Sequence, residues 1–308
     1  MSTQARLTGV YSPVVTPFKA DLSPDAAKLV RICKWMLSQE VGLAVFGTNS
    51  EANSLSVGEK IDLLNALVEA GLPAARMMPG TGCCSITDTV DLTRHAMKIG
   101  AGGVLMLPPF YYKGVSDDGL FAAYSEVIQR VADPRLRIYV YHIPQVSGVP
   151  ISLSLIERLL KEYPGTIAGT KDSSGDWSNT AAMLERFQPQ GFDVFCGSET
   201  FLLATLRAGG AGCITAMGNA NPGPIARLYR EWKNADAEAQ QKQLDIVRQT
   251  YSKFPVIPAL KAAIAHYTGD EGWATVRPPL VKLPAEQSQA LISALEGIGF
   301  AMPGIKEA

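Results

Sequence analysis

A lysine directly after a short apolar run is the residue whose type and position point most clearly to chemistry. Lys171 follows the stretch Thr166–Thr170, which is typical of a buried strand. Because a charged ammonium is costly to bury, such a position favours the neutral amine. A neutral lysine amine attacks ketones to form an imine. The alternative is that Lys171 points outward and pairs with an acid, as isolated lysines usually do.

Imine chemistry also needs a group that moves protons, and hydroxyl-bearing residues follow other apolar runs. Tyr141 ends one strand candidate, and a phenol in that place would carry protons to and from the reacting atoms. Thr48 and Tyr111 would link this phenol to solvent as a hydroxyl relay. Taken alone, Tyr141 would be read as an ordinary half-buried strand aromatic.

The segment Gly47–Glu51 supplies hydroxyl, amide and backbone N–H donors in a strand-to-helix loop. Donors of this kind, here Thr48 and Asn49, bind a carboxylate without a net positive charge. The alternative is a plain helix start, with Ser56 and Glu59 forming the capping box of the next helix.

Eight short apolar runs are candidate strands, and each is followed by a stretch with helical spacing. The runs are Val10–Val15, Leu43–Phe46, Arg76–Pro79, Gly103–Leu107, Arg137–Tyr141, Thr166–Thr170, Asp193–Cys196 and Gly212–Thr215. The amphipathic segments between them include Asp25–Gln39, Val57–Glu69, Thr87–Lys98, Leu120–Ala132, Ser154–Glu162 and Trp177–Phe187.

This alternation predicts an α/β fold with a parallel sheet, because parallel strands need a crossover and a helix usually provides it. Eight units suit a TIM (β/α)₈ barrel. A doubly wound sheet is the alternative, but G-x-G-x-x-G after a strand and G-x-x-x-x-G-K-[ST] are both absent from the sequence.

Beyond Asn221-Pro222-Gly223 the pattern indicates helices only. We expect residues 1–233 to form the barrel that carries the active site and residues 234–308 to form a C-terminal helical extension packed on it. The helical segments are Pro224–Ala235, Ala237–Lys253, Pro258–Tyr267 and Ala285–Ile298.

The amino-acid composition excludes several classes of binding partner and of site for this protein. Lys and Arg total 28 against 29 for Asp and Glu, so no charge excess attracts nucleic acid or an anionic membrane. The sequence has neither a long apolar span nor a signal-peptide pattern at its start, which predicts a cytoplasmic protein. Five cysteines without C-x-x-C spacing and three scattered histidines predict free thiols and no metal site.

Four spaced motifs carry a family resemblance that spans nearly the whole chain. The chain resembles the pyruvate-dependent class I aldolases of the dihydrodipicolinate synthase and N-acetylneuraminate lyase family. The motifs are Gly47–Glu51, Pro109–Tyr112, Tyr141–Pro144 and Gly169–Asp172.

The resemblance implies a role for each of the residues already singled out. Lys171 would be the Schiff-base lysine, Tyr141 the proton shuttle, and Thr48 with Asn49 the holders of the pyruvyl carboxylate. Tyr111 would complete the relay and reach into a neighbouring subunit, which implies a homotetramer built as a dimer of dimers. No cofactor is implied beyond the lysine imine itself.

Departures from the family pattern bear on the substrate. Val146 stands where the lysine-pathway enzymes carry an arginine for the carboxylate of aspartate semialdehyde, and valine cannot replace a guanidinium. Ser50 replaces a common glycine, and Asn49 replaces a second hydroxyl residue. Short polar residues where the neuraminate lyase group has sugar contacts favour a hydroxylated acceptor. The resemblance places Ser173, Glu199, Ile214 and Thr215 among the substrate contacts.

The sequence therefore predicts a lyase that cleaves or condenses a small-molecule 2-oxo acid, such as pyruvate, and an aldehyde. The alternatives are a dehydratase that acts on a hydroxylated 2-oxo acid through the same imine, and 4-hydroxy-tetrahydrodipicolinate synthase itself. A barrel that only binds an oxo acid, as a sensor, is the alternative without catalysis.

Overall fold

The computed structural model describes residues 6–307, and the chain divides into two compact units. The first unit comprises Met1–Gly9 and Pro73–Ile214, and the second comprises Val10–Leu72 and Thr215–Ala308. The predicted boundary between residues 233 and 234 stays a prediction.

Over the described residues the strands are β1 (Gly9–Ser12), β2 (Gly42–Leu43), β3 (Val104–Met106), β4 (Ile138–His142), β5 (Ile167–Asp172), β6 (Asp193–Cys196) and β7 (Gly212–Ile214). The helices up to β7 are α1 (Ala26–Ser38), α2 (Val57–Glu69), α3 (Ile86–Lys98), α4 (Asp117–Val131), α5 (Pro144–Ser147), α6 (Leu153–Glu162), α7 (Trp177–Phe187) and α8 (Leu202–Arg207). The C-terminal helices are α9 (Pro222–Glu231), α10 (Ala237–Tyr251), α11 (Val256–Thr268) and α12 (Ala285–Gly297).

In the first unit, β3 to β7 form a parallel sheet in which each strand pairs with the next along the chain. One face of this sheet packs on the helices: Val140 of β4 and Val194 of β6 belong to the same buried apolar cluster as Leu155 of α6 and Met183 of α7. Since side chains alternate along a strand, residues such as Tyr139 and Tyr141 face the other way.

The prediction of a regular third strand at Arg76–Pro79 is wrong. Ala74–Arg76 is a 3₁₀ turn, and Gly80 makes only an isolated parallel bridge with Leu105. The segment nevertheless lies along β3, because Leu105 N donates to Pro79 O over 2.9 Å and Thr81 N donates to Leu105 O over 3.0 Å. Too few consecutive bonds form to make a ladder, which apolar spacing alone does not reveal.

In the second unit, β1 and β2 are parallel, with Tyr11 opposite Gly42 and Ser12 opposite Leu43. The strand predicted over Leu43–Phe46 ends early because Phe46 has a left-handed backbone (φ 63°). The C-terminal helices pack on one another in this unit, α9 on α10 and both α10 and α11 on α12.

Most predicted helices are confirmed to within a few residues, because local capping fixes their starts. Ser56 Oγ accepts from Glu59 N over 3.1 Å, and Glu59 returns the bond to Ser56 N over 2.8 Å, so the predicted capping box at α2 is confirmed. Asp25 caps α1 by a single bond, accepting from Lys28 N over 3.0 Å.

A buried asparagine connects the segment after β1 to the turn before α9. Asn219 Oδ1 accepts from Val15 N over 2.9 Å, and its Nδ2 donates to Pro13 O and Ala216 O over 3.1 and 3.0 Å. The side chain is fully buried, so these bonds are not exchanged with water. It therefore satisfies three backbone groups that have no ladder partner of their own.

We expect Asn219→Ala to lower the free energy of unfolding by about 2 kcal/mol, because it leaves the buried Val15 N–H and two carbonyls without a partner. Urea unfolding followed by circular dichroism measures the change. Asn234→Ala, at an exposed position of the same unit, is the control and should leave the midpoint in place. Equal midpoints for the two variants would contradict the prediction.

Candidate active site

Lys171 and Tyr141 are brought together on neighbouring strands of the first unit. Lys171 lies near the end of β5 and Tyr141 near the end of β4, and the two residues are opposite each other in the parallel register. The Lys171 Nζ lies 4.2 Å from the centroid of the Tyr141 ring. Both side chains are buried, with 2 and 3 % exposed. An amine and a phenol therefore share one desolvated position.

An irregularity in the pairing of β4 with β5 creates this register. Ile138 pairs with Ile167, but Tyr139 pairs with Gly169, so Ala168 has no partner on β4. Without this extra residue Tyr141 would lie opposite Thr170. Gly169 permits the close approach, because a Cβ there would lie 2.8 Å from the Tyr139 ring and 2.2 Å from Asp193 O.

Aromatic and charged side chains continue the same face: Phe195 of β6 is opposite Lys171, and Tyr139 and Asp193 lie two residues nearer the strand starts. The rings of Tyr139 and Phe195 pack edge to face with centroids 5.7 Å apart. Tyr139 Oη donates to Asp193 over 3.3 Å, and Arg6 forms an ion pair with the same carboxylate. Burial raises the pKa of Asp193, and the Arg6 guanidinium opposes that shift.

Asp172 is a structural residue of the site that the sequence analysis missed. Its carboxylate accepts from Ser174 N over 2.9 Å, Asn179 Nδ2 over 3.0 Å and Thr180 Oγ1 over 2.7 Å. Its backbone oxygen accepts from Gly197 N over 2.6 Å. The buried carboxylate thereby fixes the turn after Lys171 to the start of α7. An acidic residue next to the lysine with a threonine eight positions later was the available signal.

His142 anchors the loop that follows Tyr141. Its Nδ1 accepts from Ile151 N over 3.0 Å, which places the proton of the neutral ring on Nε2. Burial lowers the pKa of His142, although the Asp172 carboxylate opposes that shift. The side chain is a buried anchor here, as expected of a histidine that accepts a backbone N–H.

Three of the predicted substrate contacts lie in this unit. Ser173 is half-buried after β5, where its N–H donates to His142 O over 2.8 Å and its carbonyl accepts from Gln145 Nε2 over 2.6 Å. Glu199, in the turn after β6, and Ile214, at the end of β7, are buried. Each of the three therefore follows or ends a strand, and their part in substrate binding stays a prediction.

Tyr111 lies on the loop after β3, away from any enclosed position. Its side chain is 74 % exposed and packs edge to face on Tyr112, with ring centroids 5.3 Å apart. Within the described part of this chain Tyr111 is therefore a surface residue. Its predicted part in a relay stays a prediction.

The second unit holds the remaining predicted residues. Thr48 and Asn49 are half-buried in a 3₁₀ turn, Thr48–Ser50, that follows β2. Ser50 is fully buried, and its Oγ accepts from Gly47 N over 3.2 Å. Thr215 is buried directly after β7, where its N–H donates to Tyr11 O over 3.0 Å. Ser50 closes the turn internally, which explains how a serine fits where a glycine was expected.

The side chain of Val146 brings no positive charge to the position where an arginine was expected in the lysine-pathway enzymes. Its side chain is 61 % exposed at the end of α5. Nearby, Lys113 Nζ donates to Ser147 O over 2.6 Å and to Phe110 O, so that ammonium bridges two loop carbonyls. Lys113 therefore holds the loop carbonyls of Phe110 and Ser147 together.

Comparison with known proteins identifies the family. The model of the dihydrodipicolinate synthetase family matches residues 6–298 of the chain. The chain belongs to this family. The family assignment makes it a lyase, and the sequence-based resemblance is confirmed.

Individual relatives agree with this assignment. The chain is 34 % identical over 293 residues to an uncharacterized DapA-like lyase of Chloroflexus aurantiacus, covering 94 % of this chain and 96 % of the relative. A dihydrodipicolinate synthase structure from Agrobacterium tumefaciens is similar with a TM-score of 0.87 at 32 % identity, covering 94 % of this chain and 99 % of that one. YagE of E. coli K12, a family member solved in complex with pyruvate, has a TM-score of 0.87 at 26 % identity, covering 96 and 100 %.

These similarities show the fold class of the family member. It is a TIM (β/α)₈ barrel with a C-terminal helical extension, as the alternation of strands and helices predicted. The irregular segment at Gly80 stands where the third strand of such a barrel was expected.

Two features of residues 6–307 bear on ligands and membranes. Nowhere in this range do three or more His, Cys, Asp or Glu side chains come together in a way that could hold a metal ion. No helix in the same range is long and apolar enough to cross a membrane.

The neutral state of His142 should make the stability of this lyase depend on pH. Because the folded-state pKa lies below the unfolded value, the contribution is complete above about pH 6.5 and is lost as the pH falls through the folded pKa. We expect the free energy of unfolding to fall by on the order of 1 kcal/mol between pH 7.5 and 5.5 through this group.

His142→Asn should remove that part of the pH dependence, since the Asn Oδ1 still accepts from Ile151 N and does not titrate. Urea midpoints at several pH values for wild type and variant measure it. The control is His266→Gln, at a solvent-exposed side chain in the other unit. An unchanged pH slope in His142→Asn would refute the assignment.

Proposed function

We propose that this family member is a Schiff-base lyase in which Lys171 forms an imine with the ketone of pyruvate or a related 2-oxo acid. The observation that carries the proposal is the buried pair of Lys171 and Tyr141, with Nζ 4.2 Å from the ring centroid. A desolvated amine next to a phenol suits imine formation followed by proton transfer. A site that only binds an oxo acid has no use for both groups.

The reaction follows from these two side chains. The amine of Lys171 adds to the C2 ketone, and Tyr141 protonates the departing hydroxyl, so that water leaves and an iminium forms. The Tyr141 oxygen then takes the proton of the C4 hydroxyl while the iminium draws in the electrons of the C3–C4 bond. An aldehyde leaves, the enamine is protonated at C3, and water releases pyruvate and the free amine. Condensation reverses these steps.

We propose that Thr48 and Asn49 hold the carboxylate of the 2-oxo acid. Their support is that they follow β2, and that barrel enzymes build their sites from residues at the carboxyl ends of strands. The hydroxyl of Thr48, the amide of Asn49 and the N–H groups of the turn are suitable donors. The iminium provides the positive charge next to the carboxylate, and no metal or other cofactor is required by this chemistry.

The acceptor is proposed to be an aldehyde that carries hydroxyl groups, as in a sugar-acid type substrate. Ser173 and Glu199 follow strands on the same sheet as Lys171, Ile214 ends β7, and Thr215 follows β7. Short hydroxyl and carboxylate groups bind hydroxyl-bearing ligands well. Because Val146 brings no guanidinium, the charged carboxylate of aspartate semialdehyde lacks a bidentate partner there.

We further propose a homotetramer built as a dimer of dimers, in which Tyr111 reaches the site of a neighbouring subunit. Its support is the exposed aromatic surface formed by Tyr111 and Tyr112, 74 and 73 % exposed. Tyrosines are typical of interfaces because they combine apolar area with a polar end. The free thiols, including exposed Cys84, fit the reducing cytoplasm.

Incubation with pyruvate and sodium borohydride should add one reduced pyruvyl group to the wild type, measured by intact mass. Lys171→Ala should show no adduct, because the amine that forms the imine is gone. Lys161→Ala, at an exposed lysine of the same unit, should react like the wild type. Tyr141→Phe should slow the turnover of a cleavable substrate by about 100-fold or more. No adduct on the wild type would exclude the pyruvate lyase and leave a binding role.

Ser173→Ala should lower kcat/KM for a polyhydroxylated 2-oxo acid by about tenfold, the value of one hydrogen bond, and leave pyruvate trapping unchanged. Pyruvate release coupled to lactate dehydrogenase measures cleavage, and mass spectrometry of the product tells cleavage from loss of water. A product that keeps all its carbons would favour the dehydratase. Aspartate semialdehyde should be the poorer partner, and a preference for it would refute the proposed acceptor class.

A further inference from the structure

A fully buried ion pair lies next to the turn that carries Thr48 and Asn49. Glu51 follows this turn directly, and its carboxylate pairs with the ammonium of Lys261 on α11. The side chains of both residues have no exposed area. All of the residues that form this arrangement belong to the second unit.

The backbone of Glu51 is held in an unfavourable conformation. Its φ of 55° and ψ of 35° lie in the left-handed region. For a residue other than glycine this conformation costs roughly 1 kcal/mol or more and persists only where the surroundings impose it. The interactions of the Glu51 side chain are therefore candidates for what imposes it.

Both carboxylate oxygens of Glu51 are bound. Oε1 accepts from Lys261 Nζ, and Oε2 accepts from Arg277 N over 2.9 Å. Lys261 Nζ also donates to Thr275 O over 2.7 Å and lies 4.4 Å from the centroid of the buried Phe18 ring. The Glu51 carboxylate is thus held between α11 and the segment at Thr275–Arg277, and the ammonium is stabilised by two oxygens and an aromatic face.

The same segment also fixes the chain beyond Glu51. The guanidinium of Arg277 donates to Ser54 O over 2.6 Å and pairs with Glu59 at the start of α2. On the other side, Thr16 Oγ1 donates to Ser50 O over 2.6 Å. The turn is therefore tethered immediately after Asn49 and again several residues later.

A buried ion pair is a poor source of stability, because desolvation offsets most of its attraction and apolar residues of similar volume often serve as well. What it does supply is a directional constraint. Here the constraint acts on Glu51, the residue at which the Thr48–Ser50 turn ends. It therefore affects the positions of the hydrogen-bond donors in the turn.

We propose that Glu51 and Lys261 are positioning residues for 2-oxo acid binding: their ion pair imposes the turn shape in which Thr48 and Asn49 bind the carboxylate. This inference rests on the proposed function. Neither side chain touches the substrate in this account; both act through the backbone of the turn.

A pH dependence follows from the surroundings of Lys261. Burial lowers its pKa to about 8, with the Glu51 carboxylate opposing that shift and the Arg277 guanidinium adding to it. Glu59, bound to Arg277, is the next charged group of this set. Above about pH 8 the ammonium loses its proton, and the constraint on Glu51 weakens. Stability should not fall with it, because a folded pKa below the unfolded one makes the folded state gain relative stability as pH rises.

The test is the pyruvate concentration that gives half-maximal borohydride-trapped adduct, measured by intact mass at pH 7. In Glu51→Gln we expect it to rise about tenfold, as for loss of one charge-assisted hydrogen bond, with the same adduct at saturation. Because the single change leaves the Lys261 charge unpaired, the double variant Glu51→Gln, Lys261→Met is made as well. The double variant removes both charges and should fold, with the same increase.

The matched control is Lys28→Met. Lys28 pairs with Asp270 over 2.6 Å and lies 5.9 Å from the Trp273 ring centroid, so it also combines an ion pair with an aromatic ring in this unit, at a partly exposed position. Its loss should lower the thermal midpoint and leave half-saturation unchanged. If Lys28→Met raised the half-saturating concentration as much as the Glu51 variants, a general loss of stability would explain the effect, and the inference would be overturned.

The wild type provides a second measurement. Its half-saturating pyruvate concentration should rise between about pH 7 and 9 without a loss of thermal stability, and the double variant should lack this rise. The inference would be overturned if both Glu51 variants had a half-saturating pyruvate concentration within twofold of the wild type. It would also be overturned if this concentration changed with pH in the same way in the wild type and the double variant. A wild type that forms no adduct at all would instead refute the proposed function.

Discussion

The parallel pairing of β4 with β5 is the constraint on which the rest of the site depends. A slip of one residue in a strand moves every side chain to the opposite face. The unpaired Ala168 sets the register so that Tyr141, not Val140, shares a face with Lys171. The helices pack on the other face, through Val140 and its neighbours, so the core and the amine are separated by the alternation of the strands.

Several buried carboxylates of the two units have ion-pair or hydrogen-bond partners. Asp193 lies at the start of β6 with Arg6, and Asp172 lies at the end of β5 with three hydrogen-bond donors. In the second unit, Glu51 and Lys261 neutralise each other. These three buried carboxylates are therefore compensated, as the cost of burying charge requires. The Lys171 Nζ lies against the face of the Tyr141 ring, which suits the imine-forming role proposed for it.

Local patterns predicted much of the fold because they reflect local physics. The helix start at Ser56 was evident from the serine and the glutamate three residues later, since each bonds the backbone of the other. The third strand was predicted and is irregular, because whether Met77–Pro79 forms a ladder depends on the partner strand and not on its own apolar residues. Asn219 gave no sequence signal, since two of its three partners, Val15 and Pro13, are some two hundred residues away.

The sequence by itself determined the alternation of strands and helices, the family, and the candidate residues Lys171, Tyr141 and Thr48, because these follow from residue type and order along the chain. Only the tertiary structure decided which of these side chains meet. The register of two strands places Tyr141 against Lys171, while Tyr111 stands exposed. It also decided the partner of Glu51, because an ion pair with a lysine 210 residues away depends on how the chain folds back on itself.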